Sequence, residues 1–344
     1  ELDDFAAKLH PGAVVLPAAL AVAEATGASL DDLEVATALG YEMMIRISLA
    51  LDPNMARLRG WHLTGVVGPL GAGVAVGKLL GLDQTAMAST LGLSATQGGG
   101  LFAFNADGAM SKRLHPGRAA QSGVMAAMLA AKGFTGPATV LEVEDGGYLR
   151  AFSDHWTIEP IVEGLGRDWR LLGTNFKPYA CCGSVHAYVD AAKQIRQEIG
   201  GAPKPGQRIR AGVARVVDVQ CGYDYKPGAT LNSQMSLRYC LAVALLDGEA
   251  LPAQFRDDRI ADPAVTDLAG RIELLPDAAL DALYPTHYSG WAEVDGVRAF
   301  IKDPAGSIAN PNREAALRQK THALFADLQQ AGAVLDVPVV LQAG

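Results

Sequence analysis

The chain has 344 residues, with 29 Lys or Arg against 37 Asp or Glu and a formal net charge of −8. That length suits about two domains, and 49% hydrophobic with 19% charged residues is the composition of a well-packed globular protein. An acidic balance without any Lys/Arg run argues against a nucleic-acid partner.

The opening Glu-Leu-Asp-Asp has none of the basic-then-apolar order of a secretory signal. Cys181, Cys182, Cys221 and Cys240 form no CxxC pair, so a zinc ribbon or thioredoxin-type site is not expected. Their irregular spacing fits a reducing cytoplasm. The apolar stretch 65–82 is Gly-rich and carries Lys78, and it reads as a buried helix at a helix–helix contact rather than a membrane span.

In chain order, residues 11–133 are helical in pattern. Pro17 lies in the first turn of one helix and Gly27 stops it. Ser29 caps the next, with Asp31 and Asp32 complementing its positive end. Another starts at Asp83, and Gly92 to Gly100 reads as a flexible break. A small-residue helix is expected from Ala119 to Gly133. The pattern changes after about residue 165. Val-rich 208–221 reads as a strand, as do the stretches opening at Ile272 and Gly290 and at Val297, the last two joined by a hairpin at Asp295-Gly296. Helices are expected near 184–198, 231–247 and 263–271, and from Asn312 to Ala331.

The segment Ser111-Lys112-Arg113-Leu114-His115-Pro116-Gly117 places an ammonium, a guanidinium and an imidazole within four residues, a donor set suited to a small anion with several carboxylates. His10, His62 and His186 also sit in Gly- or Pro-flanked, loop-like settings, where catalytic groups tend to be placed. His155, His287 and His322 lack such context and read as surface or structural; Cys181-Cys182 and Tyr239 read as packing, and Asn105 and Asp107 as turn residues. No dinucleotide fingerprint, phosphate loop, HExxH, EF-hand or GxSxG elbow is present.

Seven stretches carry a resemblance: LHPGAVVLPAALAVAE, GWHLTGVVGPLGAG, LLGLD, ADGAMSKRLHPGRAAQSG, GFTGP, KPYACCGSVHAYVDA and KDPAGSIANPNREAALRQK. In this order they resemble the MmgE/PrpD family, which contains 2-methylcitrate dehydratase, cis-aconitate decarboxylase and iminodisuccinate epimerase. The resemblance implies a mainly α protein with a smaller α+β domain, and a homodimer. Residues 1–165 plus 311–344 would form the helical domain, and 166–310 an inserted α+β lid closing over a pocket between the two. It also implies a metal-free, cofactor-free site built from His10, His62, Lys112, His115 and His186, with Asp3, Asp4, Lys112, Arg113 and His186 binding substrate. Two departures stand out. Members usually carry a further long helical stretch before the segment that corresponds to Leu2-Asp3-Asp4, near which the given sequence opens, and Phe5 stands where many members have Thr.

The shared chemistry is proton movement at a carbon beside a carboxylate, where preorganised cations must meet developing negative charge. Lys112 and Arg113 suit that task, and imidazoles suit proton transfer near neutrality. His62 or His10 would be base or acid, His186 and Lys112 would hold carboxylates, and Asp3 or Asp4 would orient a histidine. The first expectation is therefore a 2-methylcitrate dehydratase-like lyase. Decarboxylation of an aconitate, epimerisation of an amino-dicarboxylate, and a non-enzymatic polycarboxylate binder are the alternatives.

Overall fold

A computed structural model describes Leu2 to Gln330. The chain divides into two compact units, one of residues up to 175 with 229–232, the other of 176–228 and the described residues from 233 on. The division falls ten residues later than the sequence reading put it. It also assigns the closing helix to the second unit, whereas the sequence reading grouped 311–344 with the first; residues beyond Gln330 lie outside the described part.

The first unit opens with β1 (Leu2–Asp3) and is otherwise helical: α1 (Val15–Thr26), α2 (Leu30–Ala50), α3 (Pro53–Leu58), α4 (Leu63–Leu79), α5 (Gln84–Ala95), α6 (Phe104–Asp107), α7 (Ser111–Ala131), α8 (Tyr148–Phe152) and α9 (Glu159–Val162). Ser29 caps α2 in a complete capping box with Asp32, as the sequence predicts. Gly27 ends α1 in the left-handed conformation.

At the centre lies α4, buried on every side from Leu63 to Gly77 and packed mainly against α7 and α2. Its glycines bring backbones together. A Cβ on Gly71 would stand 2.8 Å from the Gly40 carbonyl oxygen of α2, and one on Gly123 of α7 would stand 2.6 Å from the Gly73 amide nitrogen of α4. No real Cβ tolerates such distances, so the small residues set how closely the three helices approach. Among the described residues no helix is long and apolar enough to cross a membrane.

A two-residue strand, β2 (Asn175–Phe176), falls at the division between the units, and the second unit contains β3 (Ile209–Val213), β4 (Ile272–Pro276), β5 (Gly290–Val294) and β6 (Val297–Ile301) in one sheet, ordered β4-β3-β5-β6. Only β3–β4 is parallel. The β5–β6 hairpin turns at Asp295-Gly296, as predicted, and both residues have positive φ. The helices of this half are α10 (His186–Glu198), α11 (Arg215–Cys221), α12 (Thr230–Met235), α13 (Leu237–Asp247), α14 (Asp257–Ile260), α15 (Pro263–Arg271), α16 (Ala278–Leu283) and α17 (Arg313–Gln330). The long helix α10 packs on β5 and β6.

Four local expectations need correction. The break expected from Gly92 begins only after Ala95, where α5 ends. The stretch 208–221 is strand only to Val213. Beyond it the buried Val217 and Cys221 recur four apart, a helical spacing hidden in a Val-rich run. The single helix expected over 231–247 breaks at Ser236, whose hydroxyl accepts from the Tyr239 N–H and caps α13. The Lys-Arg-His cluster is not a loop before a helix starting at Ala119: α7 starts at Ser111 and carries Pro116 inside it. Proline there removes one donor, to the Lys112 carbonyl, while the small residues that follow pack along α4 and hold the helix together.

Candidate active site

Local register builds the first half of the site. Asp4 and Leu9 form an isolated antiparallel bridge, Asp4 N–H donating to the Leu9 carbonyl at 3.1 Å and Leu9 N–H to that of Asp4 at 3.0 Å. The next pair outward is Asp3 and His10, so the two side chains are cross-strand neighbours. Asp3 Oδ1 lies 2.7 Å from His10 Nδ1. Its backbone carbonyl accepts from the Asn175 side-chain amide at 3.4 Å. Such a carboxylate keeps the proton on Nδ1 of His10.

A second bridge, Trp61 to Leu101, aligns the segment before α4 with the loop after α5. His62, at the head of α4, donates its backbone N–H to the Gly100 carbonyl at 2.9 Å. Thr64, one residue into α4, accepts from the His10 N–H at 3.2 Å and so ties the two histidine segments together. The His10 and His62 rings have centroids 6.0 Å apart. On the other side His62 Nδ1 meets His115 Nδ1 at 2.8 Å.

That contact is chemically specific. Two neutral imidazoles can share it only if one Nδ1 donates and the other accepts. The donor ring then carries a lone pair on Nε2, and the acceptor ring carries a proton there. The pair therefore holds one basic and one acidic Nε2 at the same time. Burial pulls the His115 pKa below its ordinary value, which favours the neutral ring such a pair needs. Phe102 and Phe104 line His62, with ring centroids 6.1 and 5.2 Å away. The Arg57 guanidinium lies 3.2 Å over the Phe102 centroid.

Lys112 precedes His115 by three residues on α7, so the two share a helix face. Lys112 is half-buried, whereas Arg113 is exposed. Asp4 is buried beside Asp3, and its carboxylate accepts from the Ala7 N–H at 2.7 Å. His10, His62, Lys112, His115, Asp3, Asp4 and Arg113 all belong to the first unit; His186 belongs to the second. There it heads α10, 1% exposed, packed edge-on against Tyr179 at 5.3 Å. Its position as the first helical residue replaces the loop setting expected for it.

Tyr41 escaped the sequence reading. It is buried on α2, and its hydroxyl is pushed up to about 12, first by burial and then by the charge of Asp3. Phe102, Phe104 and Thr64 were missed as well. A Gly-rich loop with scattered aromatics carries no periodic signal, and only the register of the Trp61–Leu101 bridge brings it to His62. Tyr239 is core, as expected, with its hydroxyl donating to the Gln254 carbonyl at 2.5 Å. His287 pairs with Asp303 at 2.7 Å within the second unit. Among the described residues no group of three or more His, Cys, Asp or Glu is arranged to hold a metal ion.

The Asp4 carboxyl is pushed up to about 6, mainly by burial, although the Ala7 and Ala6 amides pull it down. A carboxyl raised in this way supports the fold while protonated, below its ordinary value of 3.8, and loses that contribution as pH rises through about 6. Asp4→Asn keeps an acceptor for Ala7 without the buried charge. Its unfolding free energy should exceed the wild type's by up to roughly 2–3 kcal/mol at pH 8 and match it below pH 4. Urea titrations at both values would test this; an advantage independent of pH would contradict the burial argument.

Comparison with known proteins follows the same division of the chain. Residues 1–160 match the MmgE/PrpD N-terminal domain, and residues 179–335 match the MmgE/PrpD C-terminal domain. A cis-aconitate decarboxylase of Aspergillus terreus is 35% identical over 297 residues, covering 79% of this chain and 60% of that protein. The human cis-aconitate decarboxylase is 31% identical over 274 residues, covering 77% of this chain and 56% of its own. A cis-aconitate decarboxylase-like protein, oryM, of Aspergillus oryzae is 30% identical over 313 residues, covering 84% and 64%. The chain thus spans about three fifths of the length of these relatives.

Proposed function

Because the chain belongs to the MmgE/PrpD family, we propose that it is a lyase of the cis-aconitate decarboxylase kind. The sequence reading put dehydration of 2-methylcitrate first and decarboxylation second; the relatives favour the second. The observation that carries the reading is the run of three imidazoles in the first unit, with Asp3 2.7 Å from His10 and His115 2.8 Å from His62.

Decarboxylation of cis-aconitate breaks the bond between its methylene carbon and the attached carboxylate. The freed electron pair becomes a new double bond to the central carbon, and the former alkene carbon takes a proton. One proton is consumed, CO₂ leaves, and a dicarboxylate with a terminal methylene remains. The reaction thus needs cations on the carboxylates that stay and an acid at the alkene carbon. In this proposal Lys112 holds a retained carboxylate, with Arg113 adding positive potential. An Nε2–H of the His62–His115 pair delivers the proton, and the pair reloads through its other Nε2. Asp3 holds His10 in one tautomer beside them.

Proton NMR in D₂O on the purified chain with cis-aconitate, citrate, 2-methylcitrate and amino-dicarboxylates tests the proposal. The expected result is vinylidene signals of itaconate with one deuterium in its methylene group. Loss of water from 2-methylcitrate, or α-proton exchange in an amino-dicarboxylate, with no CO₂ released from cis-aconitate, would replace decarboxylation by another chemistry of the family.

A further inference from the structure

Among the described residues Arg57 is a cation without a counterion. It sits on α3, half-buried, and its guanidinium has no hydrogen bond or ion pair among the described residues. Burial pulls its pKa below the ordinary guanidinium value, and no neighbouring acid pushes back. Arg46, the other arginine drawn into this unit's interior, is answered by a carboxylate and four carbonyl groups. Withdrawing a cation from water without such compensation is costly. An uncompensated guanidinium therefore marks a place where an anion would be received.

Its placement is fixed. The Arg57 carbonyl accepts from the Gly60 N–H at 3.0 Å, and the Gly60 carbonyl accepts from the Phe102 N–H at 2.8 Å. The stacked pair Arg57–Phe102 is thus bound to the segment that carries His62. Phe102 in turn touches Phe104, centroids 4.6 Å apart, and both rings touch His62. Stacking occupies a face of the guanidinium and leaves its N–H edge available. That edge is a planar fork matching a carboxylate, which an ammonium cannot reproduce.

We propose that Arg57, held flat on Phe102 beside His62, binds a carboxylate that the substrate keeps through the reaction. This deepens the decarboxylase reading and rests on it for the identity of the substrate. Lys112 and Arg57 would each take one retained carboxylate, leaving the third to depart as CO₂.

The test is calorimetric binding of cis-aconitate and of citrate to the whole chain, beside steady-state kinetics, for wild type, Arg57→Lys and Arg57→Ala. Loss of a charge-assisted pair should weaken tricarboxylate binding about 10- to 100-fold and raise KM in step, with kcat within about threefold. Itaconate keeps both retained carboxylates, so its binding should weaken by a similar factor. Arg57→Lys should recover only part of the loss, and millimolar guanidinium should partly rescue Arg57→Ala, which a merely structural role would not allow. Wild-type affinity for both tricarboxylates in a folded Arg57→Ala would overturn the proposal, as would unchanged affinity for itaconate. If the wild type binds tricarboxylates but releases no CO₂, decarboxylation fails, while the affinities still decide the role of Arg57. Should the wild type bind none of them, both fall.

Discussion

His62→Ala is expected to lower turnover of cis-aconitate by about 10²–10⁴-fold, with KM changed far less. The reason lies in the arrangement rather than in the residue alone. His62 touches His10 on one side and His115 on the other, and its Nδ1 is one end of the 2.8 Å contact. Removing it takes away one ring of the proton-transfer pair and leaves His115 as an isolated imidazole with no partner to fix its tautomer. Lys112 and Arg57, the cations proposed to hold carboxylates, stay where they were, so binding should survive. His322→Ala serves as the control, since His322 is exposed on α17 in the second unit. A stopped or single-turnover assay separates chemistry from binding. If His62→Ala kept more than about a tenth of wild-type kcat, general acid–base work would belong elsewhere.

The largest effect on stability is expected from Arg46→Met. Arg46 is 1% exposed on α2, and its Nε donates to Glu42 at 2.6 Å. Its two terminal nitrogens donate to the carbonyls of Pro160, Ile161, Glu163 and Asp168, between 2.7 and 3.3 Å away. Glu42 accepts in addition from the Arg170 and Leu171 amides, at 3.1 and 3.0 Å. One ion pair thus ties α2 to the whole stretch from α9 to Leu171. With methionine there, a buried carboxylate and four carbonyl groups lose their partner, at a cost of about 3–5 kcal/mol. That is a third or more of a typical stability, and should lower Tm by on the order of 10 °C. Arg46→Lys keeps the charge but cannot span four carbonyl groups, so it should fall between. A change below about 1 kcal/mol in urea unfolding, the range of an exposed pair, would show that the cluster is not holding the segment.

The sequence shows some of this and hides the rest for physical reasons. The capping box at Ser29, the αL stop at Gly27 and the Asp295-Gly296 hairpin are local, and a few neighbouring residues suffice to see them. The histidines were found through their Gly- and Pro-rich flanks. The flanks say where chain direction changes, not what meets what. His62 and His115 are 53 residues apart, and only the packing of α4 on α7 puts them in contact. Reading Pro116 as a boundary was reasonable from propensity, but tertiary packing overrides it and gives His115 a helical address. Arg46 reads as one more charge on a helix. Its partners are 114 to 122 residues away, at spacings no periodicity reveals.

The glycine contacts that seat α4 between α2 and α7 bear on how this site can change. A Cβ on Gly65 would come within 2.3 Å of the Gly99 carbonyl oxygen and 3.2 Å of the His115 Cβ. Where main chain rests on main chain there is no side chain to trim or lengthen, so the gap between the His62 and His115 rings behaves as a fixed gauge. A substitution can delete one jaw or leave the gauge as it is, but it has little means to reset the spacing by a few tenths of an ångström. Diversification is then left to the rim, where Phe102, Arg57 and Lys112 can be exchanged without moving the helices that carry the His62–His115 pair.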